Sequence, residues 1–149
     1  MKLRLELKDE QATDALAIRL AEIAQPGDIF ALAGPLGAGK SHLARAFVRA
    51  LTAPDEEVPS PTFTLVQTYA SAKGPLFHFD LYRLEAPDEA TELGIDDAFA
   101  EGISLLEWPD RLGRLLPARA LKIELAAGPS PSERIASISG DETWTRRWV

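Results

Sequence analysis

"ALAGPLGAGKSHLARAF" occupies residues 31–47, and its reading decides the fold. Gly34, Gly39, Lys40 and Ser41 satisfy the spacing G-x-x-x-x-G-K-[ST] in full. The run leading into it, "DIFALAG" (28–34), is short and apolar, as a strand buried on both faces should be. After it, Leu43, Phe47 and Leu51 recur at helical spacing. A strand, a glycine-rich turn and a helix in this order make a cradle for phosphate. Phosphate oxygens must come close to bare backbone N–H groups, where a Cβ would obstruct them. Glycines at 34, 37 and 39 remove that obstacle and permit unusual backbone angles. The helix N-terminus contributes unpaired N–H groups and the positive end of its dipole. Lys40 supplies a point charge to β- and γ-phosphates, and Ser41 offers a hydroxyl to Mg²⁺. A plain glycine turn before an ordinary helix would need neither side chain.

The rest of the chain reads outward from this unit. "KLRLELK" (2–8) alternates Leu3, Leu5 and Leu7 with charges, a half-buried strand. Asp9 caps a helix carrying Leu16, Leu20 and Ile23 on one face, and "QPG" (25–27) ends it. "TAPDEEVPSP" (52–61) is a loop rich in proline and acid. "TFTLVQTY" (62–69) and "LFHFDLY" (76–82) read as an antiparallel hairpin across a short turn. One or two short helices, interrupted at Gly94, follow over 87–100, then a buried strand "ISLLE" (103–107) and a short proline-started helix at 109–117. "ALKIELAA" (120–127) and "ERIASIS" (133–139) form a final strand pair, and the tail after Gly140 shows no period. The expected class is α/β, a P-loop NTPase-like mixed sheet flanked by helices with antiparallel hairpins, in a single domain over 1–149.

Composition narrows the function. The 149 residues carry a net charge of −7, a poor basis for gripping a phosphate backbone unaided, so any nucleic acid should be held by a partner. There is no cysteine, which excludes thiol catalysis, disulfides and thiolate metal sites. No segment has the length and apolarity of a signal peptide or a membrane span, so a cytoplasmic protein is expected, with no membrane partner.

A second metal ligand is expected from an acid at the end of another buried strand. Asp80 ends "LFHFD" and Glu107 ends "ISLLE". The wholly apolar run before Glu107 suits a strand beside the phosphate-loop strand. Asp80 also suits an edge-strand carboxylate paired with Arg83. Thr62, between stiffening prolines in "PSPTF", can present a hydroxyl to a γ-phosphate, although a plain strand entrance is the simpler reading. His78 can orient a water, but a satisfied structural histidine is the commoner case. His42 follows Ser41 and reads as a bystander on its helix. The chain contains no asparagine, so the N-K-x-D guanine-reading motif is excluded and ATP is favoured over GTP. No arginine-rich lid of the kind a small-molecule kinase needs is legible, and such a kinase stands as the alternative function.

"GPLGAGKS", "PSPTFTLVQTY", "FHFDLYRL" and "LEWP", in this order and spacing, resemble the bacterial TsaE (YjeE) family, from about residue 9 to about residue 139. The resemblance implies a slow, partner-dependent ATPase required for threonylcarbamoyladenosine synthesis on tRNA, at the adenosine beside the anticodon. It implies binding to a complex of TsaD and TsaB, reset by hydrolysis between rounds, with tRNA touched only through those partners. It implies ATP and Mg²⁺ as ligands. Lys40, Thr62, Asp80 and Glu107 then match the family's catalytic residues, and Ser41, Glu107 and Asp80 its metal ligands. Gly34, Leu36, Gly37, Ala38, Gly39, Lys40, Ser41 and His42 match its nucleotide-binding loop. Thr13 resembles its early threonine near the nucleotide, and Arg134 the late arginine of its closing hairpin. Position 35 is proline where the family commonly has a polar or acidic residue.

Overall fold

The computed structural model describes residues 1–148. Seven strands form one sheet: β1 (Lys2–Leu7), β2 (Ile29–Ala33), β3 (Val66–Ser71), β4 (Gly74–Asp80), β5 (Ile103–Glu107), β6 (Leu121–Ala127) and β7 (Arg134–Ser139). Their spatial order is β1-β7-β6-β2-β5-β4-β3. The middle strands β6, β2, β5 and β4 run parallel, while β3, β7 and β1 pair antiparallel at the two sides. Five α-helices complete the fold: α1 (Glu10–Ile23), α2 (Lys40–Leu51), α3 (Glu89–Glu92), α4 (Ile95–Glu101) and α5 (Glu142–Trp148), with a 3₁₀ segment over Pro109–Leu115.

Alternation along the strands divides the apolar residues between two cores. One lies under α1, α2 and α5 and takes Phe30, Leu32, Leu105, Leu121 and Ile123 from the sheet. The other lies under α3, α4 and the 3₁₀ segment and takes Ile29, Phe79 and Leu106. β2 and β5 feed both cores, which explains their unbroken apolar runs. Among the described residues no helix is long and apolar enough to cross a membrane.

Most local signals act as read. Asp9 caps α1 by accepting from the Ala12 amide at 2.9 Å. Gly94, in the left-handed region, separates α3 from α4. Two expectations need correction. The segment 62–69 is not strand throughout, because Pro61–Thr64 forms a turn closed by the Leu65 amide on the Pro61 carbonyl. Leu65 sits at φ 69°, which breaks the extended run, and β3 begins only at Val66. The tail, which shows no period, folds as α5. Its Trp144 is buried against Phe30 and donates Nε1–H to the Arg119 carbonyl at 2.7 Å. Arg147 reaches back to the Asp28 carboxylate and the Ile23 carbonyl. A seven-residue helix with one buried face residue has too little repeat to register as a pattern.

Replacing Trp144 with alanine empties this contact and orphans the Arg119 carbonyl. The expected loss is about 3–5 kcal/mol of unfolding free energy, measured by urea titration followed by circular dichroism.

Candidate functional site

The site lies at the carboxyl ends of the central parallel strands, where the chain leaves β2 for α2. Gly34 is the first constraint. Its φ is +140°, and a Cβ there would stand 2.4 Å from the Leu125 carbonyl oxygen of β6. Only glycine lets the loop leave the sheet so close to its neighbour. The Pro35 carbonyl accepts from the Ala38 amide at 3.2 Å, which closes the turn. Gly39 at φ 98° then starts α2, and no side chain caps it. The first N–H groups of α2 are therefore available to a ligand. Leu36 is 77% exposed at the cavity's edge, while Ala38 turns into the core and can meet a ligand only through its backbone.

A cavity of about 290 Å³ fronts this loop, lined by Gly37, Gly39, Lys40 and Ser41 on one side and by Thr62, Asp80, Glu107 and Arg134 around it. Lys40, Asp80 and Glu107 are all nearly buried. The Lys40 ammonium donates to the Gly34 carbonyl at 2.6 Å and sits 3.5 Å from the centre of the Trp108 ring. Burial pushes its pKa below the usual lysine value, against the pull of Glu107, Asp80 and Asp110. A buried ammonium with no carboxylate in contact is held at a cost that an anion would relieve. Trp108 follows Glu107 at φ 59°, a strained backbone for a bulky residue, and its ring packs on Tyr82 at 4.8 Å.

The two acids are register partners on adjacent parallel strands, β4 and β5. Asp80 is interior to the sheet and nearly buried, not on an edge strand, and Arg83 lies over the Phe63 ring instead. The surface salt-bridge reading of Asp80 is thereby corrected. Its Oδ2 accepts from the Thr62 hydroxyl at 3.0 Å and its Oδ1 from the Tyr82 amide at 3.0 Å. The proline-flanked turn and the left-handed Leu65, whose carbonyl accepts from the Asp80 amide, deliver Thr62 to this acid. Ser60, which the sequence reading left out, lines the same cavity and bonds the Thr62 hydroxyl at 2.7 Å. Its signal was its place two residues before Thr62. His78 bonds Glu107, Nε2 to Oε2 at 2.7 Å, with both side chains buried.

A second cavity of about 310 Å³ shares Gly39 and Arg134 with the first and is lined also by Glu10, Thr13, His42 and Pro131. Thr13 is nearly buried at its wall. His42 borders this cavity, and its Nε2 is hydrogen-bonded to Asp14 Oδ1 at 2.7 Å. Arg134 joins the two cavities: its Nη1 donates to the Pro131 and Glu133 carbonyls, while its buried Nε has no partner. A larger concavity, about 610 Å³, is lined by Ala31, Lys122 and Ser137 and, just beyond Trp108, by Pro109 and Asp110.

The donor set fits a magnesium nucleotide. Two buried carboxylates and the Ser41 and Thr62 hydroxyls offer hard oxygen ligands or water-holding groups beside a lysine and bare loop amides. Among the described residues no cluster of three His, Cys, Asp or Glu side chains could hold a metal by itself. Mg²⁺ held by one or two carboxylates together with phosphate needs no such cluster.

A mixed seven-strand sheet with flanking helices, and a glycine loop between β2 and α2, defines an α/β protein of P-loop NTPase-like fold. The solved structure of YdiB from Bacillus subtilis superposes with a TM-score of 0.77 at 28% identity, covering 99% of this chain and 91% of that one. A family model described as "Threonylcarbamoyl adenosine biosynthesis protein TsaE" matches residues 7–135. Relatives described as "tRNA threonylcarbamoyladenosine biosynthesis protein TsaE" include one from Rickettsia conorii, 36% identical over 89% of this chain and 75% of its own. One from Bacillus subtilis is 37% identical over 82% of this chain and 76% of its own. A third, from Synechocystis, is 40% identical over 73% and 71%. The chain belongs to the TsaE family, which takes part in threonylcarbamoyladenosine biosynthesis on tRNA.

Gly34→Ala should cost about 1–3 kcal/mol of stability through strain at its positive φ and the clash with Leu125. Chemical denaturation of the variant checks this, with Gly37→Ala, also at positive φ but with its Cβ in open space, as the control that isolates the clash.

Proposed function

We propose that this protein is a Mg²⁺-dependent ATPase that binds a TsaD–TsaB complex and, by hydrolysis, resets it between rounds of tRNA modification. The observation that carries the reading is the convergence of Lys40, Ser41, Thr62, Asp80 and Glu107 on one cavity in front of uncapped loop amides. The N–H groups of the loop between Leu36 and His42 hold the phosphates, Lys40 leaves the Gly34 carbonyl to pair with them, and Arg134 closes the loop from the β6–β7 hairpin. Thr13 and His42 border the adjoining cavity, where the nucleoside end is held. Ser41, Glu107 and Asp80 are the groups that would hold Mg²⁺, directly or through water. When bound, the ion neutralises charge on the β- and γ-phosphate oxygens.

Asp80 holds the Thr62 hydroxyl and couples the proline-rich loop to the state of the cavity. A γ-phosphate that takes the Thr62 hydroxyl shifts this loop, and its loss lets Thr62 return to Asp80. Leu36, which lines the cavity, and Phe63, next to Thr62, are 77% and 81% exposed and support a protein partner that covers them. The net charge of −7 supports contact with tRNA through the partners alone. A cytoplasmic location belongs to the same proposal.

Lys40→Ala should abolish Mg·ATP binding by calorimetry. Asp80→Ala and Glu107→Ala should keep most of the nucleotide binding at saturating Mg²⁺ while weakening Mg²⁺ affinity, and lose hydrolysis by on the order of 10²-fold or more, because metal and water positioning act mainly in the transition state. The decisive comparison is the ATPase rate with and without purified TsaB and TsaD. Acceleration by the pair is expected, and equal rates would remove the partner-driven cycle.

A further inference from the structure

His78 stands directly behind the acids, not in the cavity. On β4 it lies two residues before Asp80, so both side chains emerge on one face. On β5 its register partner is Leu105, two residues before Glu107. His78 is 2% exposed, and its one side-chain hydrogen bond among the described residues goes to Glu107. Its Nε2 takes the Oε2 of that acid at 2.7 Å, while Nδ1 is sealed with no partner. Nε2 is the ring nitrogen within reach of Glu107, so it is the one that can donate to that carboxylate. An ionised carboxylate in such a place needs a donor in any case.

What exceeds simple satisfaction is the asymmetry. Only Oε2 is engaged; Oε1 takes no hydrogen bond among the described residues and is not among the sealed, unpartnered atoms. Glu107 lines the cavity, so Oε1 is the oxygen that faces it. Each oxygen of Asp80, by contrast, already accepts one hydrogen bond. We propose that His78 is a positioning residue: it fixes the Glu107 carboxylate so that Oε1 alone is presented to the magnesium nucleotide. This rests on the proposed ATPase reading. The physical reason is that a glutamate has three rotatable bonds, and a single buried anchor at Oε2 removes the freedom that would otherwise be lost on ligand binding.

The test uses the full chain and Mg·ADP calorimetry alongside steady-state kinetics. His78→Leu removes the donor, His78→Gln keeps an N–H at similar reach, and His78→Asn shortens it. Leucine and asparagine should raise the Mg²⁺ concentration for half-maximal ADP binding and lower kcat, each by about 10–100-fold, with KM for ATP little changed. Glutamine should restore both. In a Glu107→Ala background, His78→Leu should add no further loss of Mg²⁺ affinity, because its effect passes through that acid. Where His78→Leu does not fold, the glutamine–asparagine contrast carries the same test. Variants that lower the melting temperature while leaving Mg²⁺ dependence and kcat untouched would overturn the proposal. So would an undiminished further loss in the Glu107→Ala background. Wild-type protein that binds no magnesium nucleotide would overturn the ATPase reading as well, which separates the two failures.

Discussion

Lys40 is the group on which the rest of the structure depends. Its ammonium is nearly buried, in contact with a carbonyl and an aromatic face but with neither neighbouring carboxylate. Burial alone would drive it toward neutrality; the field of Glu107, Asp80 and Asp110 works against that. The balance needs three things at once: a glycine loop that lets the helix start beside the sheet, two strands that end together, and a ring under the charge. Each is met by a different part of the chain.

Parallel strands solve the second requirement. Because β4 and β5 run in register, Asp80 and Glu107 come to rest side by side at the same end as the loop after β2. This is the end of an open α/β sheet at which ligands are usually bound. The carboxylates then serve different masters. Asp80 is tied to the Thr62 turn and the Tyr82 amide, so it joins the cavity to a loop with an exposed phenylalanine. Glu107 is tied backward, to His78 in the core. A ladder of contacts also runs outward from Lys40 through Trp108 and Tyr82 to Arg111 at the surface.

Much of the fold was legible because its signals are local. The phosphate-loop spacing, the Asp9 cap, the break at Gly94 and the period-two strands each need only neighbours in sequence. Thr62 and Asp80 could be named as candidates, but their hydrogen bond spans the β3–β4 hairpin, and an edge position for Asp80 read equally well. The start of β3 was misread because Leu65 adopts a left-handed angle that no residue type announces. The α5 helix was missed because its stability comes from one indole in a distant core. Ser60 and the anchoring of Glu107 by His78 lay outside periodicity altogether.

The amino-acid order by itself determined the strand–loop–helix unit, the class of sheet and a short set of candidate site residues. Backbone conformation and hydrophobic period are short-range properties, and the letters carry them directly. Tertiary structure alone decided which acids share a cavity, which oxygen of Glu107 is free, and that Arg134 bridges two cavities from the opposite end of the chain. Those facts depend on strand order and register, and they are set by how two cores are filled on either side of one sheet.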